Sequence, residues 1–358
     1  MLRQLARLTR PIDAAPGAVA IAVYANAADT SIAAAERGYE GVACVDDAGR
    51  ALALLCDLWS ATRLPVIRAW AAGVLEFVLY MQDDDGRFVN FISDWSGARN
   101  EDGQTSEAGG SFWQARGTQG LAKAAIALDD PRALRGVLAG LVHLRRDPVA
   151  ASIRAIHVLT ALDLLRSGRA PELAADLGPW AAELVACRRG GVLFDDPDQR
   201  EEPHLWAHMQ EGALAEAGAY LGREDLVEIA RESALRYLAP VIDSAFDRPS
   251  VQPDGVACAL FGVERLAAVT GERRFAELAE RARAWFGERN TARRPVYDRG
   301  SGRVSDGIDG GVINDHSGAE ANIAGAWALF PELAAGAAAE RALAGLLPDS
   351  LAVIRPSS

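Results

Sequence analysis

The 358-residue chain has little that would draw it to a polyanion. It carries 37 Lys and Arg against 49 Asp and Glu, a formal net charge of −12, and no basic cluster is large enough to reverse that balance locally. Phosphate backbones and anionic membrane surfaces would be repelled, so neither nucleic acid nor membrane is an expected partner. Cysteine is scarce as well. Cys44, Cys56, Cys187 and Cys258 lie far apart, without the short spacings of metal knuckles or redox motifs, and read as reduced packing residues in a cytoplasmic protein. The longest apolar stretch, "AVAIAVYANAA", is too short to span a bilayer, and the N-terminus lacks the uninterrupted apolar run of a secretory signal. G-x-S-x-G, G-x-x-x-x-G-K and a helix-opening G-x-G-x-x-G are missing, so nothing supports a nucleophile elbow, a phosphate loop or a dinucleotide site. No cofactor and no metal are expected.

β-Branched alternating runs are nearly absent too, and what fills the chain instead is Ala and Leu at spacings of three and four, broken by Gly, Pro and Asp. With 50% hydrophobic and 24% charged residues, this is a globular, all-α composition. One series of helices is predicted to begin near Asp46, Glu107, Ser152, Pro203, Asp254 and Asp315. Between them fall helices near 65–82, 131–144, 171–187, 224–241 and 273–287. The first series recurs at roughly 45 to 60 residues, the length of two helices with their connections. "FAELAERARAWF" has a charged outer face whereas "VACALFGVERLAAVTG" is apolar almost all round, which suggests outer and inner layers. Six hairpins would close an (α/α)6 toroid, a single domain over residues 1–358 with residues 1–40 as a short extra or irregular element. Long loops rich in Gly, Asp and aromatics lead into the inner helices and mark the expected site.

Four segments carry candidate chemistry. In "GVACVDDAGRALALL", Asp46 and Asp47 open an apolar helix; one can cap it and pair with Arg50, and the other can face a cavity as acid, base or sugar-hydroxyl acceptor. In "TSEAGGSFWQARG", a helix running from Glu107 would align Glu107, Ser111 and Gln114, and Glu107 is either a dipole residue or a catalytic one. In "EEPHLWAHMQEGALAEAG", Pro203 in the first turn would put His204, His208 and Glu211 on one face. A sugar-binding or acid/base role for His208 or Glu211, or a structural polar network, fits this face better than a metal, since HExxH is not formed. In "GGVINDHSGAEANIAGAWALF", His316 and Glu320 stand one turn apart on an apolar face, where a carboxylate is either architectural or a proton donor with a raised pKa. Trp95, Trp113 and Trp206 are placed near the same mouth, where flat apolar rings suit the C–H faces of a sugar.

The segments "GYEGVACVDDAGRAL", "GRFVNFI", "GQTSEAGGSFWQARG" and "PVYDRGSGRVSDGIDGGVINDHSGAE" resemble, in order and spacing, a branch of the six-hairpin glycosidase-like proteins, often encoded with or fused to glycosyltransferases. The matched positions are Asp46, Asp47, Arg50, Ser106, Glu107, Asn314, Gly318, Ala319 and Glu320. Where those relatives carry Asp-Ser-His-Gly-Arg, this chain has Ala108, Gly109, Gly110 and Ser111 after Glu107, a departure that implies altered or absent catalysis if that Asp is essential. The stretch from Pro203 to Glu211 also resembles sugar epimerases of the same fold, in which a histidine and a glutamate serve proton transfer.

The resemblance implies a carbohydrate-active enzyme, most simply an inverting glycoside hydrolase on an oligosaccharide or polysaccharide. Its acid and base would come from Asp47, Glu107, Glu211 and Glu320, with about 6.5 to 9.5 Å between the pair. Asp46, Arg50, Trp95, Trp113, Trp206, His208, Asn314 and His316 would bind substrate. The same fold leaves open an epimerase using His208 or His316 as base, and a non-catalytic sugar-binding or glycosyltransferase-associated module.

Overall fold

A computed structural model describes residues 1–26, 31–32, 40–146, 149–335, 343–349 and 351. Most of the expected N-terminal element is among them, as helix α1 (Leu2–Leu8) and the antiparallel pair Thr9–Pro11 with Val19–Ile21; residues 27–30 and 33–39 lie outside the described set. The chain divides into two compact units. The first comprises Met1–Asp147, Asp298–Ser305 and Asp315–Ser358, and the second Pro148–Tyr297 and Asp306–Asn314.

In the first unit, α2 (Val45–Thr62) pairs with α3 (Pro65–Tyr80), α4 (Ser111–Ala127) with α5 (Pro131–Arg146), and α13 (Ala319–Ala328) with α14 (Phe330–Ala335). In the second, α6 (Ala151–Arg166) pairs with α7 (Ala174–Ala186), α8 (Gln210–Leu221) with α9 (Glu224–Ser233), and α11 (Pro253–Thr270) with α12 (Arg273–Arg283). Helix α9 runs on through a π turn, Ala234–Leu238, into α10 (Ala239–Asp243), where Pro240 supplies no N–H to the ladder. Among the described residues this makes six helical hairpins, and no helix is long and apolar enough to cross a membrane.

The two layers differ as composition predicts. Every residue from Gln210 to Gly218 of α8 is buried, whereas α12 buries only Phe275, Leu278, Ala279 and Ala282, a single stripe. Helices α2 and α4 cross closely because Gly49 has no side chain: a Cβ there would stand 2.3 Å from the Arg116 carbonyl oxygen. This approach brings Arg116 to the N-terminal end of α2. The long loops contain short antiparallel pairs, Ala43–Cys44 with Phe91–Ile92 and Arg188–Arg189 with Val192–Leu193. All four cysteines are buried free thiols.

Three inner helices start later than the sequence predicts. Helix α4 begins at Ser111, because Gly109 with φ +93° cannot continue a helix from Glu107, so Glu107, Ser111 and Gln114 do not share a helical face. Helix α8 begins at Gln210. Pro203 to Met209 form a turn in which Ala207 has φ +55°, which breaks the supposed helical face of His204, His208 and Glu211. Helix α13 begins at Ala319, because the N–H groups of Ser317 and Ala319 bond to the Ala25 and Val23 carbonyls instead of helical ones; His316 is therefore not one helical turn from Glu320.

Candidate functional site

Each unit holds a polar cluster. In the first, the carboxylates at the start of α2 are not the cap: Cys44 is extended at φ −136°, and its Sγ accepts the Asp47 N–H at 3.5 Å. Asp46 and Asp47 occupy the first turn, where the helix dipole favours negative charge. Asn90 Oδ1 accepts the Asp46 N–H at 3.2 Å.

Arg50, one turn on, gathers three carboxylates. Its Nη2 lies 2.8 Å from Asp47 Oδ1 and 3.6 Å from Asp46 Oδ2, and its Nη1 donates to Glu320 Oε1 at 2.9 Å. Arg116 Nε stands 4.0 Å from Asp46 Oδ1, and its Nη1 donates to Gln119 Oε1 at 3.3 Å. Three acids thus face two guanidinium groups, and the acid with least solvent carries the strain. Asp47 has a side-chain exposure of 3%. Burial, opposed by Arg50 and reinforced by the charges of Glu320 and Asp46, lifts its carboxyl from the ordinary 3.8 to about 7. Burial beside the same acids pushes the Cys44 thiol well up. Glu320, 37% exposed, is the most open member of the cluster.

The remaining first-unit candidates lie elsewhere. Glu107 is exposed, and its carbonyl accepts from Trp113 Nε1 at 3.1 Å, as does that of Phe88 at 3.0 Å, so Trp113 ties down the loop. Ser106 is buried, its Oγ accepting the Phe91 N–H. Trp95 lies under the Arg10 guanidinium, 5.1 Å from the ring centre. His316 is half-buried, with Nε2 3.9 Å from Asp315 Oδ1. Asn314, in the second unit, bonds through its N–H to the Gly307 carbonyl.

The second unit sets two histidine–carboxylate pairs along one short segment. His208 Nε2 lies 2.9 Å from Glu211 Oε2, and both side chains are fully buried. Ser233 Oγ donates to Glu211 Oε1 at 2.6 Å and accepts the Leu193 N–H at 2.9 Å, and the Tyr237 ring meets His208 edge-on at 5.2 Å. The π turn of residues 234–238 presents Ser233 and Tyr237 to this pair together.

His204, by contrast, is 53% exposed. Its Nε2 lies 2.9 Å from Asp195 Oδ2 and its Nδ1 2.8 Å from the Trp206 carbonyl oxygen. An ionised Asp195 and the Trp206 carbonyl can both only accept, so this setting favours the protonated form of the ring. Asp195 raises its pKa above the ordinary value, with help from the Trp206 carbonyl, and hydrogen bonding to His204 in turn lowers that of Asp195 against its burial. Gln210 Nε2 donates to Asp195 Oδ1 at 2.8 Å, which links the open pair to the start of α8. Trp206 is half-buried, its ring centre 6.3 Å from that of His204. Asp195 and Ser233 carried no motif in the sequence. Asp195 sits among several acids in "FDDPDQREE", and only the fold of that loop selects it. The described residues include no group of three His, Cys, Asp or Glu arranged to hold a metal ion.

No protein-family model matches the sequence, and no curated protein matches it. Solved structures do resemble the fold. A sugar epimerase from a ruminal bacterium superposes with a TM-score of 0.70 at 12% identity, covering 92% of this chain and 95% of that one. A cellobiose 2-epimerase from Bacillus thermoamylovorans gives 0.69 at 10%, covering 93% and 96%. A family 76 glycoside hydrolase from a bovine Bacteroides thetaiotaomicron strain gives 0.57 at 14%, covering 81% and 69%. The likeness is one of fold: the chain is all-α, with an (α/α)6 arrangement of helical hairpins.

Proposed function

We propose that the protein is a carbohydrate-active enzyme that moves a proton on a sugar, of the epimerase or isomerase kind, with His204 as the transferring group and Asp195 as its carboxylate partner. The observation that carries this reading is an open imidazole 2.9 Å from a buried carboxylate. The Trp206 carbonyl fixes Nδ1–H, so the mobile proton is the one between Nε2 and Asp195 Oδ2. Passed to a sugar ring or carbonyl oxygen, it leaves a neutral imidazole beside an ionised Asp195, a couple able to take a proton back. Trp206 offers an apolar face beside the imidazole to the C–H face of a sugar. The fully buried His208–Glu211 pair braces the segment from beneath. Sugar epimerases among the solved structures of the same fold support this choice of chemistry.

A second reading, inverting hydrolysis, is favoured by one feature. Asp47 is a carboxylic acid held protonated up to about pH 7, as a glycosidic proton donor must be, with Glu320 as the open carboxylate. Reducing sugars and oligosaccharides incubated with the protein in D2O and followed by proton NMR separate the two. Deuterium uptake at the carbon next to the carbonyl, lowered about 10²–10⁴-fold by His204→Gln, is the expected result. Release of new reducing ends, abolished by Asp47→Asn and untouched by His204→Gln, overturns it in favour of hydrolysis. Binding without either reaction assigns the protein to sugar recognition alone.

A further inference from the structure

The turn that carries His204 is held in a conformation that its own residues disfavour. The His208 N–H bonds to the Leu205 carbonyl at 3.1 Å, so Leu205 to His208 form a β-turn whose third residue, Ala207, has φ +55°. A turn of that geometry wants glycine at this place. With alanine there, the preferred alternative is the turn in which the peptide between its two central residues is flipped over. That peptide joins Trp206 to Ala207. It is planar and trans, so its N–H and C=O point in opposite directions and cannot be aimed separately.

Both ends of this peptide are engaged. The Ala207 N–H donates to Asp254 Oδ2 at 3.0 Å, and the Trp206 carbonyl accepts from His204 Nδ1 at 2.8 Å. Asp254 is buried in the first turn of α11, with Cys258 Sγ 3.6 Å from the same oxygen. The end of α11 presses on the turn at Gly255, where a Cβ would stand 2.8 Å from Leu205 Cβ. On the other flank, Tyr237 donates its hydroxyl to the Pro203 carbonyl.

We propose that Asp254 is a positioning residue: by fixing the Ala207 N–H it locks the Trp206–Ala207 peptide, aims the Trp206 carbonyl at His204 and so sets the ring that faces Asp195. Its importance for turnover rests on the reading of His204 given above, while its effect on the ring does not. Without the Asp254 carboxylate, Ala207 relaxes to negative φ, the peptide turns over and His204 Nδ1 loses its acceptor.

The test is an NMR titration of the His204 imidazole in the full chain without sugar, for the wild type, Asp254→Ala, Asp254→Asn and Asp254→Ala/Ala207→Gly, alongside sugar proton exchange in D2O. Asp254→Ala is expected to lower the His204 midpoint and to cut exchange about tenfold or more. Asp254→Asn, whose amide oxygen accepts the same N–H, is expected to keep the midpoint. Glycine adopts positive φ freely, so the double variant is expected to recover it. An unchanged midpoint in folded Asp254→Ala overturns the proposal, and so does a double variant that keeps the lowered one. Where Asp254→Ala alone does not fold, the double variant decides: a wild-type midpoint supports the proposal and a lower one overturns it. A lowered midpoint in Asp254→Ala, together with a wild type that exchanges no proton on any sugar, would sustain Asp254 and defeat the epimerase reading.

Discussion

Asp47 makes a pH signature that can be isolated. Its carboxyl rises from the ordinary 3.8 to about 7 in the folded chain, because burial and the charges of Glu320 and Asp46 outweigh Arg50. Between those two values the folded chain binds a proton that the unfolded chain has lost. Stability therefore falls as pH rises through that window, the reverse of an ordinary salt-bridged aspartate. At about 1.4 kcal/mol per pH unit, the full rise is worth about 4 kcal/mol. Total stability versus pH mixes this with every other carboxylate, so the informative quantity is the difference between the wild type and Asp47→Asn. Asparagine fills the same space and does not titrate, and urea unfolding of both proteins from pH 4 to pH 8 gives the difference directly. The wild type is expected to lose ground to the variant by about 4 kcal/mol across the window. A flat difference, or one in which the wild type gains with pH, would show that Arg50 holds Asp47 ionised, and would remove the support for Asp47 as a proton donor.

Two further substitutions address the packing that builds the clusters. Ser233→Ala leaves the Leu193 N–H buried without its partner and leaves Glu211 Oε1 with His208 Nε2 alone, and is expected to cost about 1–3 kcal/mol in urea unfolding; a loss near zero would mean that water replaces the hydroxyl. Gly49→Ala puts a methyl 2.3 Å from the Arg116 carbonyl oxygen, so α2 and α4 must part. The expected cost is about 1–3 kcal/mol, with Asp47 moved from its pKa of about 7 as Arg50 and Arg116 are displaced; an unshifted Asp47 carbon resonance would count against this coupling.

Much of the candidate chemistry was legible as residue types and misplaced as geometry. Glu107 belongs by residue type to the start of an inner helix, but Gly109 interrupts that helix and Glu107 stands exposed in a loop. His208 and Glu211 do meet, at 2.9 Å, although His208 lies in the turn before α8 and the contact spans the helix start. His204 enters the sequence reading only as one residue of a supposed helical face with His208 and Glu211, because a lone exposed histidine has no pattern until the carboxylate beside it is known.

What the sequence determined by itself was the kind of building block. Apolar residues at spacings of three and four specify α2, α3, α6 and α11, with Pro opening α3 and α11 and Gly271 closing α11, since these signals act within a few residues of one another. Tertiary structure alone decided where α8 and α13 begin and which acids keep their protons. A helix start is open to rivals for its first N–H groups, and here the Val23 and Ala25 carbonyls bind those just before and at the start of α13, while Asp254 holds that of Ala207 ahead of α8. Protonation likewise follows from burial and from neighbours such as Glu320, 270 residues from Arg50, and no local pattern encodes that distance.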